Sequence, residues 1–146
     1  FDDHAIGKQA YNYKHKDGSF AAELANARTF CQLRDVKLMQ NAGLALGGSL
    51  NNAIVVDNGK ILNDGGLRVE REFARHKVLD CLGDLFLIGM PVKAKMTVER
   101  PGHALSTKLV QALLSDSTNF EVLEAGNEYN RSGSFAMPEL AAAAMA

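Results

Sequence analysis

Apolar and polar positions recur with two different periods along this chain, and the changes of period divide it into short elements. Tyr11 and Tyr13 alternate ahead of the turn signal Lys16-Asp17-Gly18-Ser19. Ser19 with Phe20 to Leu24 predicts a short helix capped by Ser19. Ala27 to Phe30 predicts a short extended piece. Arg34 to Ala42 has helical spacing and stops at Gly43. Ala53 to Val56 predicts a strand, turned at Asp57-Asn58-Gly59-Lys60 into Ile61 and Leu62.

The longest helical signal runs from about Glu70 to Leu87. On a helical wheel Ala74, Val78, Leu79, Cys81, Leu82, Leu85 and Phe86 form one broad apolar side. His76, Lys77, Asp80 and Asp84 cluster on the other side, while Arg75 falls among the apolar residues without a reason legible in the sequence. Val92 to Val98 alternates strictly, which predicts a half-buried strand with Val92, Ala94, Met96 and Val98 on one face. Glu99 to His103 reads as a turn, and Ser106 to Leu114 as a second amphipathic helix with Leu109 and Leu113 at i and i+4. From about Asn127 the chain turns polar and is expected to fray. The run Ala141 to Ala146 has helix propensity but no core to pack on. Strands and helices interleave without repeating βαβ units, so the predicted class is α+β, a small mixed sheet packed against helices.

Composition narrows the function more than the fold. With 146 residues, 47% hydrophobic and 23% charged, the chain has the make-up of a globular domain with a real core. A net charge of −1 gives no electrostatic footprint for nucleic acid or an anionic membrane. Two cysteines, Cys31 and Cys81, make no disulfide framework, so a reduced, cytoplasmic setting is expected and both read as packing residues. No stretch reaches the roughly 18 apolar residues of a membrane span. The sequence opens at Phe1, without Met or a leader pattern and inside structured-looking sequence, which suggests part of a longer chain.

The candidate chemistry is concentrated on one helix. His76 and Asp80 stand at i and i+4, so both side chains leave one face, and imidazole plus carboxylate is a half-set of ligands for a metal such as zinc. On spacing alone a solvated His–Asp pair is the commoner explanation. Lys77 beside His76, and Asp84 one turn beyond Asp80, tilt the balance toward a site. His103, in Pro101-Gly102-His103, is either a cap or a general acid. Thr29 is by itself an ordinary strand residue. The glycine-dense Gly43 to Ser49 lacks the pattern of a phosphate loop and reads as backbone passing close to something. Ser49 has no nucleophile-elbow context, so an acyl-serine mechanism has no support.

Four blocks together resemble a known family. Ala27-Arg-Thr-Phe30, Gly43 to Ser49, Phe73 to Asp80 with Gly83-Asp84-Leu85, and Gly102-His-Ala-Leu105 occur in the order and spacing of the UDP-3-O-acyl-N-acetylglucosamine deacetylases, from about Phe1 to Val122. That resemblance implies two similar α+β domains with the active site between them, of which this chain is the second. Residues 1–126 would be the C-terminal catalytic domain, a two-layer sandwich, with a βα insert at about 30–56 and a tail over 127–146. It implies His76 and Asp80 as ligands of Zn2+, and His103 as the cationic general acid, oriented by Asp84. It implies Thr29 as an oxyanion donor, and Lys77, Arg100 and Gly102 on the nucleotide side of the substrate. The insert would form a passage for the acyl chain, lined by Phe30, Leu33, Val36, Ala45, Gly48, Ser49, Ala53 and Val55.

The same resemblance puts a third zinc ligand and the general-base Glu in an N-terminal domain, in a Glu-His motif that this sequence does not contain. His4 and His15 stand in other contexts, Arg100 replaces a more usual Lys, and Pro101 replaces a Ser. The expected reaction is zinc-dependent hydrolysis of the N-acetyl group of UDP-3-O-acyl-N-acetylglucosamine in lipid A biosynthesis. The chain alone is expected to be inactive, with the N-terminal domain as its partner and neither nucleic acid nor stable membrane insertion involved. The rival reading is a non-catalytic module that grips an acyl-UDP-sugar. A structural RNA-binding protein is a third class, and the net charge already counts against it.

Overall fold

The computed structural model describes residues 3–123, so the polar stretch from Asn127 and the alanine run 141–146 lie outside the described residues. The chain divides into two compact units. Among the described residues, the first comprises residues 3–14 and Ser19–Leu79, and the second comprises His15–Gly18 and residues 80–123. No helix among the described residues is long and apolar enough to cross a membrane.

In the first unit, helix α1 (Ser19–Glu23) leads to strand β1 (Thr29–Gln32), helix α2 (Leu33–Asn41), strand β2 (Ala53–Asp57) and strand β3 (Lys60–Ile61). Helix α3 (Glu72–Leu85) follows, its first part in this unit and its last in the second. The sheet is mixed, as expected of an α+β chain. β1 runs parallel to β2, with Thr29 opposite Ala53 and Gln32 opposite Val56, and β2 runs antiparallel to β3. Parallel neighbours need a crossover, and α2 supplies it, so a single βαβ unit is present after all. Between β2 and β3 the chain reverses through Asn58 (φ 48°) and Gly59 (φ 73°), the two left-handed residues that a tight hairpin of matching twist demands.

Every residue of β2 from Ala53 to Val56 is buried. Its Ile54 and Val56 share one face and join Ile6 and Phe73 of α3 in the core, flanked by Ala5, Phe30, Ile61 and Leu67. Ala53 and Val55 point to the opposite face by the strand's period of two. The end of β2 is held by Asn63, which acts as a substitute strand. Its Oδ1 accepts from Val55 N at 2.9 Å, and its Nδ2 donates to the carbonyls of Leu50 and Ala53, both at 2.7 Å.

A buried ion pair ties β1 to α3. Glu72, the first residue of α3, is fully buried, and Arg28, just before β1, is nearly so. Arg28 donates from Nε at 2.8 Å and from Nη2 at 3.1 Å, and its backbone N–H reaches the same carboxylate at 2.9 Å. Arg68 N completes the carboxylate at 2.6 Å, and Arg28 Nη2 also donates to Gly66 O at 2.8 Å. Arg75, unexplained by the wheel, is accounted for here. It donates to the carbonyls of Glu70 and Glu23, both at 2.8 Å, and lies 4.4 Å over the Tyr11 ring. Ser19 opens α1 as a buried residue sharing a 2.9 Å hydrogen bond with the Tyr13 hydroxyl.

In the second unit α3 ends in the 3-10 turn Phe86–Ile88, closed by Gly89 at φ 81°. Phe86, placed on the apolar side by the wheel, is 82% exposed, because the helix tightens at that residue and the wheel's spacing no longer applies. Helix α4 spans His103–Leu114, so it starts at His103 rather than Ser106, with Gly102 O accepting from Leu105 N and Ser106 N. The stretch Val92 to Val98 forms no strand, and Val92, Met96 and Val98 are each about 40% exposed. Alternation selects a face, but a strand also needs a neighbour to bond to, and all three described strands belong to the first unit. The face itself persists, since Met96 and Val98 line an apolar cavity with Cys81, Leu85, Leu105 and Leu109.

Replacing Glu72 by Ala leaves the Arg28 guanidinium buried without its partner, and should lower unfolding free energy by about 3–5 kcal/mol in a urea titration. Burial pushes the Glu72 carboxyl up, but the bonds from Arg28 and Arg68 outweigh that and hold it below its ordinary 4.5. A depressed carboxylate stabilises the fold above its unfolded pKa. The contribution of Glu72 should therefore be complete above about pH 4.5 and be lost as pH falls through the lower native value, a loss that the Glu72→Ala chain should not show.

Candidate functional site

The residues singled out in the sequence fall into local groups within each unit. In the first, Phe30 on β1 meets α3. Its ring is 5.0 Å from Phe73 and 6.3 Å from His76, edge-on in both cases, and Lys77 Nζ lies 5.4 Å from its centroid. Thr29, one residue earlier, is exposed at the start of β1.

His76 is oriented by backbone. Its Nδ1 is 3.0 Å from the carbonyl oxygen of Ala27. A carbonyl only accepts, so Nδ1 is the donor in this contact. An imidazole whose one nitrogen donates to a fixed carbonyl while the other presents a lone pair is the form in which histidine serves a metal. Asp80 follows one helical turn later on α3. Among the described residues no three His, Cys, Asp or Glu side chains converge. An imidazole held through Nδ1 and a carboxylate at i and i+4 of one helix are donor types that fit a zinc ion, and they make a half-set.

In the second unit His103 and Asp84 come together. Nδ1 of His103 is 2.9 Å and 3.1 Å from the two carboxylate oxygens of Asp84. Asp84 is largely covered whereas the imidazole is 72% exposed, so the carboxylate fixes the ring and leaves its outer edge accessible. A carboxylate bonded to Nδ1 holds that proton and the ring's orientation, the geometry of an oriented general acid. Arg100, two residues before Gly102, adopts φ 49°, which costs a non-glycine residue roughly 1–3 kcal/mol.

The segment between β1 and β2 is largely exposed. Leu33 and Val36 are half-buried on α2, Ala45, Gly48 and Ser49 are exposed, and Ala53 and Val55 are buried in β2. The glycines have separate local reasons. Gly43 needs its freedom for φ 73° after α2, while a Cβ at Gly48 would meet the Ala45 carbonyl at 3.1 Å and one at Gly47 would meet nothing within 4 Å. Asn52 pins the loop, accepting from Ser49 N at 2.8 Å and donating to Gly47 O at 2.9 Å.

Arg28, Glu72 and Asn63 were not recognised in the sequence. The signal for the first two was present: Glu72 lies four residues before His76, on the same helix face, and Arg28 sits inside the Ala27 to Phe30 block. For Asn63 there was none, because its partners are backbone atoms eight to thirteen residues away.

Residues 1–115 match the family model for UDP-3-O-acyl N-acetylglycosamine deacetylase. The UDP-3-O-acyl-N-acetylglucosamine deacetylase of Campylobacter fetus is 47% identical, over 84% of this chain and 42% of its own length. The enzyme of that name from Anaeromyxobacter is 53% identical over 80% of this chain and 38% of its own, and that from Helicobacter pylori is 46% identical over 87% and 43%. The chain thus spans about two fifths of the length of the curated relatives it matches.

Burial, with Asp35 nearby, pushes the Cys31 thiol above its ordinary range. Its thiolate is scarce near neutrality, so iodoacetamide should alkylate Cys31 several-fold more slowly in the folded chain than in urea, as read by peptide mass mapping.

Proposed function

Since the chain belongs to the UDP-3-O-acyl-N-acetylglucosamine deacetylase family, we propose that it is that enzyme's C-terminal catalytic domain and supplies half of its zinc site. The observation that carries this reading is the family match over residues 1–115, which contain both the carbonyl-held His76 and the carboxylate-held His103. In this reading the domain runs over 1–126, with the acyl-chain insert at about 30–56 and residues 127–146 as a tail. It pairs in the cytoplasm with an N-terminal domain that brings a third ligand and a general-base Glu. A chain with two cysteines in 146 residues has no disulfide framework, which agrees with a reducing compartment.

His76 and Asp80 would hold the zinc, which when bound acidifies a water and polarises the N-acetyl carbonyl. Thr29 donates to the carbonyl oxygen as negative charge develops there. His103 passes a proton from Nε2 to the departing amine nitrogen, so that acetate leaves, while Asp84 keeps Nδ1 protonated and stabilises the charged ring. Lys77, held near the Phe30 ring, Arg100 and Gly102 bind the nucleotide side. The acyl chain runs past Phe30 along Leu33, Val36, Ala45, Gly48, Ser49, Ala53 and Val55.

Acetate release from UDP-3-O-acyl-N-acetylglucosamine tests this directly. The chain alone should be silent, a mixture with a separately produced N-terminal half should turn over, and His76→Ala in that mixture should abolish the activity. A folded, zinc-loaded mixture without activity would leave a module that binds acyl-UDP-sugar and nothing more. Within the active mixture His103→Ala should lower kcat by roughly 10²–10⁴ with substrate affinity little changed, as removal of a general acid does.

A further inference from the structure

One peptide group in the first unit is gripped from both ends by two side chains of one helix. The Ala27–Arg28 peptide donates its N–H to Glu72 Oε1 at 2.9 Å, and its C=O accepts from His76 Nδ1 at 3.0 Å. Glu72 and His76 are at i and i+4 on α3, so both bonds arise from a single helix face. A trans peptide is rigid and directs its N–H and C=O in opposite senses. Fixing the N–H therefore fixes the direction in which the carbonyl oxygen points. The N–H bond to a carboxylate also polarises the amide and makes that oxygen a better acceptor.

From this geometry we infer that Glu72 is a positioning residue for His76, acting through the Ala27–Arg28 peptide rather than by touching any reacting group. Its carboxylate sets the plane of the peptide, the peptide carbonyl holds the Nδ1 proton, and the ring is thereby kept in the tautomer whose lone pair is on Nε2. The Arg28 guanidinium has a supporting part: it holds the buried carboxylate ionised and in place through Nε and Nη2. Arg28 also immediately precedes Thr29, so the same clamp fixes where β1 begins. The inference rests on the reading of His76 as a metal donor, and the experiment below separates the failure of one from the failure of the other.

Glu72→Ala strands a buried guanidinium, so it confounds positioning with loss of stability. The comparison is therefore made in an Arg28→Met background, between Arg28→Met with Glu72→Gln and Arg28→Met with Glu72→Leu. Both are free of a buried charge, and only the first keeps an oxygen acceptor for the peptide N–H. Long-range nitrogen–proton NMR of the metal-free chain reads the His76 tautomer, assigned by its loss in His76→Ala, and competition with a chromophoric chelator reads zinc affinity. The unmodified chain and the Gln pair should show the Nδ1–H form. The Leu pair should drift toward the Nε2–H form that free imidazole prefers and bind zinc about 10–100-fold more weakly, the loss typical of removing a metal site's outer support. Equal tautomer ratios and equal affinities in the two pairs would overturn the positioning role. Zinc affinity unchanged by His76→Ala would instead overturn the metal-donor reading, whatever the tautomer.

Discussion

The contact between Arg28 and Glu72 is the constraint on which the first unit's arrangement rests. A carboxylate with no solvent exposure is costly unless it is paired and its lone pairs are filled, and here a guanidinium and two backbone N–H groups fill them. Those donors come from just before β1 and from the loop that precedes α3, so satisfying one carboxylate determines where the strand starts and where the helix begins. Such a pair contributes little net stability compared with an apolar substitute, but it tolerates only one geometry. It specifies register more than it stabilises.

The proposed chemistry follows from that register. β1 carries Thr29 and Phe30, α3 carries His76 and Lys77, and the peptide ahead of β1 orients the imidazole. In the second unit the same device recurs with a side chain in place of backbone, since Asp84 orients His103 as Ala27 orients His76. In both cases Nδ1 is held by an oxygen acceptor. Two histidines with one orientation rule can nonetheless take opposite roles. The first ring is held by a backbone carbonyl and the second by a carboxylate, and the two proposed roles differ accordingly.

The elements with a clean period were legible in the sequence: α2, the β2–β3 hairpin with its Asn58-Gly59 turn, and most of α3. The strand expected at Val92 to Val98 was not realised, because pattern carries no information about a pairing partner. Phe86 was misplaced because a 3-10 turn breaks the 3.6 period. The i and i+4 spacing of His76 and Asp80 was visible in the sequence, as was His103 at a glycine turn. What gives them orientation, Ala27 O and Asp84, could be read only in three dimensions or through the family resemblance. Arg75 shows the converse, since a charged residue on an apolar face is explained once its carbonyl acceptors and the Tyr11 ring are seen.

In the proposed function, one helix face of this chain provides two of the ligands of a zinc ion. An anomalous-difference map collected at the zinc edge, from crystals of this chain assembled with the N-terminal half, tests it most directly. A single strong peak is expected, bonded to His76 Nε2 and to an Asp80 carboxylate oxygen at about 2.0–2.2 Å, with Nδ1 of His76 still on the Ala27 carbonyl. A peak bound by other residues, or a zinc that engages His76 through Nδ1, would contradict it.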